Sequence, residues 1–126
     1  DFRTPYLVGA RIDEPTDQLT WARGYDHTYI LNKEKGELGF CARCQSPKTG
    51  IIMEAYTTEP GVQLYTGNWM TGNFEGKNGQ RYPARAALCL ETQHFPDSPN
   101  KPEYPSTVLR PGEVFESKTI YKFSAE

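Results

Sequence analysis

The sequence lacks long apolar runs, clustered charge and any sustained helical periodicity. No apolar stretch among its 126 residues approaches the roughly 20 that a membrane-spanning helix needs. Lysine and arginine are scattered, and the formal net charge is −2, so there is no electrostatic footprint for nucleic acid or for an anionic membrane. We therefore expect one compact domain whose partners include neither nucleic acid nor a membrane.

Cysteine is also scarce, with three residues at Cys41, Cys44 and Cys89. An odd number of thiols favours reduced cysteines in a cytoplasmic protein over a disulfide framework. Cys41 and Cys44 form a C-x-x-C, but their surroundings alternate like a strand, on which residues three apart face opposite sides. A zinc site would also need a second ligand pair. The pattern predicts packed thiols, no metal site and no cofactor.

Alternating, β-branched and aromatic runs are what the chain does contain. Turn clusters rich in glycine, proline and asparagine separate these runs. The best helical candidate, residues 17–24, is short enough to be a loop or a single turn, and five prolines between Pro96 and Pro111 indicate a long extended crossing. These features predict an all-β fold of antiparallel sheets stacked face to face. The predicted strands are residues 29–32, 38–45, 51–57, 62–66, 85–93 and 119–123.

The predicted strand 85–93 carries an unusual set of polar side chains on one face. Because residues two apart share a face, the apolar-rich side is formed by Ala86, Leu88, Leu90 and Thr92. The other side is formed by Arg85, Ala87, Cys89, Glu91 and Gln93. Such a face is either a wet surface or a site. Glu91 is accordingly either a solvated strand carboxylate or a candidate base whose pKa partial burial would raise.

Four phrases, taken in order and with their spacing, resemble the aldose 1-epimerase family over residues 1–124. They are Gly24 to His27, Gly61 to Asn68, Cys89 to Gln93, and Leu109 to Glu113 with Tyr121 to Phe123 after it. The resemblance implies an antiparallel β-supersandwich of the galactose mutarotase type. It also implies a cleft that binds a free aldohexose, glucose or galactose, and interconverts its α and β anomers by acid and base catalysis without a cofactor.

The resemblance also implies roles for three residues. Glu91 matches the family's catalytic base, while Asp26 and Gln63 match residues that bind the sugar's hydroxyls. Without the resemblance, Asp26 would be a turn aspartate and Gln63 an exposed strand amide. Neither histidine falls in a phrase that matches the family's catalytic histidines, so His27 is expected to be packed or at the surface, and His94 to be a loop residue. Aromatic residues Tyr65 and Trp69 are expected in the core or at its rim.

The family's acid, a histidine, lies upstream of the part that this sequence matches. We therefore expect residues 1–126 to be the C-terminal portion of a single aldose 1-epimerase domain. Its partner would be the N-terminal portion of the same enzyme, and the chain alone would be inactive. Two alternatives stay open: a non-catalytic carbohydrate-binding β-sandwich module, and a β domain with a structural or protein-interaction role.

Overall fold

A computed structural model describes residues 1–126 and contains six β-strands and little helix. The all-β prediction is confirmed, and the observed strand pairs are antiparallel. None of its helices combines the length and apolar character that crossing a bilayer requires. The strands are β1 (Asp26–Ile30), β2 (Gly39–Gln45), β3 (Ile51–Thr57), β4 (Gly61–Tyr65), β5 (Cys89–Gln93) and β6 (Thr119–Ala125), and they form two sheets in the orders β1-β4-β5 and β2-β3-β6.

Three local predictions differ from the structure. The first strand, predicted over residues 29–32, runs from Asp26 to Ile30. Residues Asp17–Ala22 form a short α-helix, α1, which ends at Arg23 in a left-handed conformation. The predicted strand 85–93 begins only at Cys89, because Arg85 has a φ of 65° and lies in a turn. The long crossing is confirmed: the chain between Gln93 and Thr119 contains only the 3₁₀ turn Ser98–Asn100.

The chain forms two compact units, the first from residues 1–27 and 64–89. Its buried apolar side chains are Ile12, Leu19, Tyr25 and Leu64. Helix α1 contributes only Leu19 to this core, and Trp21 on the same helix is exposed. Because this apolar core is small, polar contacts also hold the segments of this unit together.

The second unit comprises residues 28–63 and 90–126. Strand β3 lies at the centre of its larger sheet and pairs with β2 on one side and β6 on the other. All seven residues of β3 pair in register with β6, from Ile51 with Ala125 to Thr57 with Thr119. Alternation along a strand puts Ala55 and Thr57 on one face, and both are fully buried.

Candidate functional site

Asp26 is the first residue of β1, and the residue before it, Tyr25, takes part in a buried polar network in the first unit. The backbone N–H of Tyr25 donates to Thr66 Oγ1 at 3.1 Å, and the carbonyl of Tyr25 accepts from Asn68 Nδ2 at 2.9 Å. Thr66 Oγ1 also donates to Asn68 Oδ1 at 2.6 Å. The phrases around Tyr25 and around Thr66 are therefore joined to each other, and the network holds the backbone immediately before Asp26.

Gly24 makes this close approach possible. Its φ is 147°, and a Cβ built on it would lie 2.3 Å from Asn68 Oδ1 and 3.0 Å from Thr66 Oγ1. Only glycine combines this backbone conformation with the space that the two polar side chains occupy. Asp26 therefore lies two residues after a glycine whose backbone packs closely against Asn68 and Thr66.

His27 lies beside Asp26 but uses one ring nitrogen locally. Its Nδ1 accepts the backbone N–H of Asp26 at 3.0 Å, which leaves the proton of the neutral ring on Nε2. The ring packs edge-on against Tyr25, with centroids 5.4 Å apart, and burial lowers the pKa of His27. His27 therefore has a packed position, as the sequence predicts.

The sequence places Arg85 on the same strand face as Glu91, but Arg85 lies before β5, in a turn of the first unit. Its backbone N–H donates to Gly67 O at 3.1 Å, and its guanidinium forms two hydrogen bonds with Asp13, at 2.6 and 3.1 Å. The hydrogen bonds with Arg85 lower the pKa of the Asp13 carboxyl. Arg85 therefore closes a turn in the first unit and is not a site cation of strand β5.

Gln63 lies on β4 in the second unit, between Val62, which is buried, and the apolar Leu64. Its Oε1 accepts a hydrogen bond from the Thr28 hydroxyl on the neighbouring strand β1. Alternation therefore directs Gln63 away from the core. The sequence does not reveal Thr28 as a neighbour, because pairing between β1 and β4 leaves no local signal.

Glu91 lies at the middle of β5, which is an edge strand of its sheet. Leu90 is buried, and the Thr92 hydroxyl lies 2.6 Å from that of Thr119 on β6, so both neighbours face inward. Glu91 faces the opposite way and is exposed, so the structure does not show the partial burial that would raise the pKa of a candidate base. The structure thus places Gln63 and Glu91 on neighbouring strands of one sheet, each on the side away from the core.

A hydrogen bond between a buried glutamate and a histidine in the second unit was not anticipated. Glu59 Oε2 lies 2.7 Å from His94 Nδ1, and the Glu59 side chain is only 6% exposed. His94 is therefore not an isolated loop histidine, since it is the hydrogen-bond partner of a buried carboxyl group. Both residues line a cleft of about 790 Å³ whose other walls are Lys35, Gly36, Thr58, Pro60, Pro105 and residues 115–118. The sequence offers no signal for the pair, because the two residues lie 35 positions apart.

The C-x-x-C is interrupted by an irregularity in β2. The register between β2 and β3 shifts between Phe40 and Ala42, leaving Cys41 in a bulge, so strict alternation does not hold between the two cysteines. Both thiols are free, and burial raises the pKa of Cys41 to about 11 and also raises that of Cys44. Cys89 is free and exposed. In residues 1–126, no group of three or more histidine, cysteine, aspartate or glutamate side chains could hold a metal ion.

Tyr65 and Trp69 form a small aromatic arrangement in the first unit. The Tyr65 hydroxyl accepts the backbone N–H of Trp69 at 3.2 Å, and the Arg23 guanidinium lies 4.7 Å from the Trp69 ring centroid. Trp69 is 52% exposed, which agrees with the rim position that the sequence predicts for it. Its exposed ring surface is already partly covered by a cation.

Comparison with known proteins identifies the family. The family model described as Aldose 1-epimerase matches residues 1–122, almost the entire chain. This chain belongs to the aldose 1-epimerase family. Galactose mutarotase from Mus musculus is 46% identical over 124 residues, and galactose mutarotase from Homo sapiens is 43% identical. Aldose 1-epimerase from Escherichia coli (strain K12) is 34% identical over 128 residues.

The matches cover nearly all of this chain but only part of each relative. The mouse and human alignments cover 98% of this chain and 34% of the relative, and the E. coli alignment covers 100% and 36%. The crystal structure of the GalM/aldose epimerase homologue from C. elegans superimposes with a TM-score of 0.71 and 30% identity, covering 80% of this chain and 30% of that one. The chain therefore spans about a third of the length of these family members, and its fold is that of the family.

Proposed function

We propose that this chain contributes the base and two sugar contacts to an aldose 1-epimerase site that interconverts the anomers of a free aldohexose. The observation that carries the proposal is the family match over residues 1–122, combined with the outward, exposed position of Glu91 on β5. An exposed carboxylate on the non-core face can reach a ligand without rearrangement of the core. Asp26 and Gln63 would accept and donate hydrogen bonds to sugar hydroxyls.

The reaction is two proton transfers around one bond cleavage. Glu91 takes the proton of the anomeric hydroxyl, and the O–H electron pair forms the C1 carbonyl while the bond from C1 to the ring oxygen breaks. An acid protonates the ring oxygen, and the C1 carbonyl turns about the bond from C1 to C2. Closure by the reverse steps gives the other anomer and returns both protons, so no cofactor is consumed.

The acid is not assigned to this chain. Neither His27 nor His94 falls in a phrase that matches the family's catalytic histidines. We propose that the acid is a histidine from the remainder of the family domain, which acts as the partner of this chain. Exposed apolar side chains of the second unit, Phe40, Ile120 and Phe123 among them, are consistent with a surface that such a partner covers.

A chimera tests the proposal directly. The 124 residues of mouse galactose mutarotase that match this chain would be replaced by this chain, and anomer exchange of glucose and galactose would be followed by polarimetry. We expect the chimera to be active and this chain alone to be inactive. Asp26→Asn should mainly weaken sugar binding, measured as a raised KM, and Gln63→Ala should do the same to a smaller extent.

Two results would contradict the proposal. An inactive chimera that folds and still binds sugar would favour a carbohydrate-binding module. A folded chimera that neither binds nor converts sugar would favour a structural or interaction domain. Lys48→Gln is a suitable control variant, because Lys48 is exposed in the turn before β3 and belongs to no proposed contact.

A further inference from the structure

Within residues 1–126, the strand that carries Glu91 has a strand neighbour on one side only. In the order β1-β4-β5, β5 is paired only with β4. Edge strands are the least constrained part of a sheet, since one row of their backbone groups has no ladder partner. Within residues 1–126, contacts from outside this sheet can therefore affect where the base lies relative to a specific hydroxyl of the sugar.

Strand β6 contacts β5 at the residue before Glu91 and at the residue after it. The Tyr121 hydroxyl donates to the carbonyl of Leu90 at 2.7 Å, and the Thr119 hydroxyl lies 2.6 Å from that of Thr92. Thr119 and Tyr121 are two residues apart on β6, so they project from the same face. The two contacts fall on the residues immediately before and immediately after Glu91.

The Thr119 contact is backed by a longer hydrogen-bond network. Thr119 Oγ1 also lies 3.1 Å from Thr57 Oγ1, and Thr57, which is fully buried, accepts the backbone N–H of Glu59 at 3.0 Å. Glu59 in turn holds His94, the first residue after β5. The network thus leaves β5 at Thr92 and returns to the chain at His94, which fixes the strand at two points.

We infer that Thr119 and Tyr121 are positioning residues for Glu91, an inference that rests on the proposed role of Glu91 as base. Displacement of a catalytic group by about 1 Å can cost on the order of 100-fold in rate. Loss of either hydroxyl leaves the Glu91 carboxylate in place chemically but frees the strand that carries it. The expected consequence is a lower kcat with an unchanged KM, because sugar contacts at Asp26 and Gln63 are not altered.

The first test measures the strand itself in this 126-residue chain. Amide hydrogen exchange at Glu91 and Thr92 should become about tenfold faster in Thr119→Val and in Tyr121→Phe. Tyr56→Phe and Thr107→Val are matched controls, since each removes a hydroxyl that takes no part in the contacts between β6 and β5. The controls should leave exchange at β5 unchanged. Unchanged exchange in both Thr119→Val and Tyr121→Phe would overturn the inference.

The second test measures turnover in the chimera described above. Thr119→Val and Tyr121→Phe should each lower kcat about tenfold or more without raising KM, and Thr119→Ser should restore most of the lost rate because it keeps the hydroxyl. A raised KM with unchanged kcat would contradict a positioning role, as would equal losses in Thr119→Ser and Thr119→Val. Should Thr119→Val fail to fold, the pair Thr119→Ser and Tyr121→Phe still provides the comparison.

Failure of this inference can be told apart from failure of the proposed function. If Glu91→Gln retains full turnover, Glu91 is not the base, and the kinetic part of the inference fails with it. Faster exchange at β5 in the hydroxyl variants would then still show that β6 holds this strand. If Glu91→Gln is inactive but the hydroxyl variants turn over normally, the proposed function stands and the positioning role is wrong.

Discussion

The two units hold their proposed site residues by different physical means. In the first unit, Asp26 comes directly after a backbone segment that is hydrogen-bonded to Thr66 and Asn68. The position of Asp26 therefore depends on Gly24, whose lack of a side chain lets Thr66 and Asn68 approach this closely. In the second unit, Glu91 lies on an edge strand, and the residues before and after it, Leu90 and Thr92, each contact one hydroxyl group of β6. We therefore expect an added methyl group to disturb the first arrangement and a removed hydroxyl group to disturb the second.

The largest expected effect comes from Gly24→Ala. The new Cβ would lie 2.3 Å from Asn68 Oδ1 at a φ of 147°, so both a steric overlap and backbone strain are introduced. We expect a loss of about 3 kcal/mol in the free energy of unfolding, measured by urea denaturation. Gly9→Ala is the matched control, because a Cβ there has no neighbour within 4 Å. Equal stability of the two variants would show that the interlocked network does not hold the first unit.

A smaller loss is expected from Thr57→Val in the second unit. The substitution keeps the volume but removes the hydroxyl that contacts Thr119 and accepts the Glu59 backbone N–H. Because the site is fully buried, the unsatisfied N–H should cost about 1–2 kcal/mol in urea denaturation. Thr107→Val, at an exposed position, should leave stability unchanged. A neutral Thr57→Val would mean that the network contributes little to this unit.

The smallest perturbation uses thiol labelling, which changes no residue. Cys89 of the first unit is exposed, whereas burial raises the pKa of Cys41 in the second unit to about 11. The thiolate is the reactive form, so at pH 8 only about one Cys41 thiol in a thousand is ionised. One equivalent of a maleimide should therefore label Cys89 first, as read by peptide mass spectrometry. Equal labelling of Cys41 would show that β2 opens readily at its bulge.

The sequence predicts the fold well because the fold depends on local patterns. Each of the six alternating runs overlaps one of the six strands, although β1 begins three residues before its run, and the prolines after Gln93 correspond to the long crossing. The start of β5 was predicted wrongly because Ala86, Ala87 and Leu88 continue the alternation, whereas Arg85 is held in a left-handed turn by Asp13 and Gly67. A tertiary contact therefore overrode a local pattern.

The candidate site was predictable only in part. Glu91, Asp26 and Gln63 stand in phrases that resemble a known family, so their positions could be named from the sequence alone, although their roles stay proposals. The Glu59 and His94 pair and the contacts of Thr119 and Tyr121 join residues 27 to 62 positions apart. No periodicity in the sequence reports such pairings, since they arise from the stacking of strands.

Whether Glu91 is the base can be decided by comparing one enzyme with one variant. Anomer exchange of galactose by the chimera and by its Glu91→Gln variant would be followed by NMR exchange spectroscopy between the α and β C1 protons. We predict that exchange in the variant falls to the uncatalysed rate while galactose still binds, since glutamine keeps the shape but cannot take a proton. Exchange at the parental rate in Glu91→Gln would contradict the account.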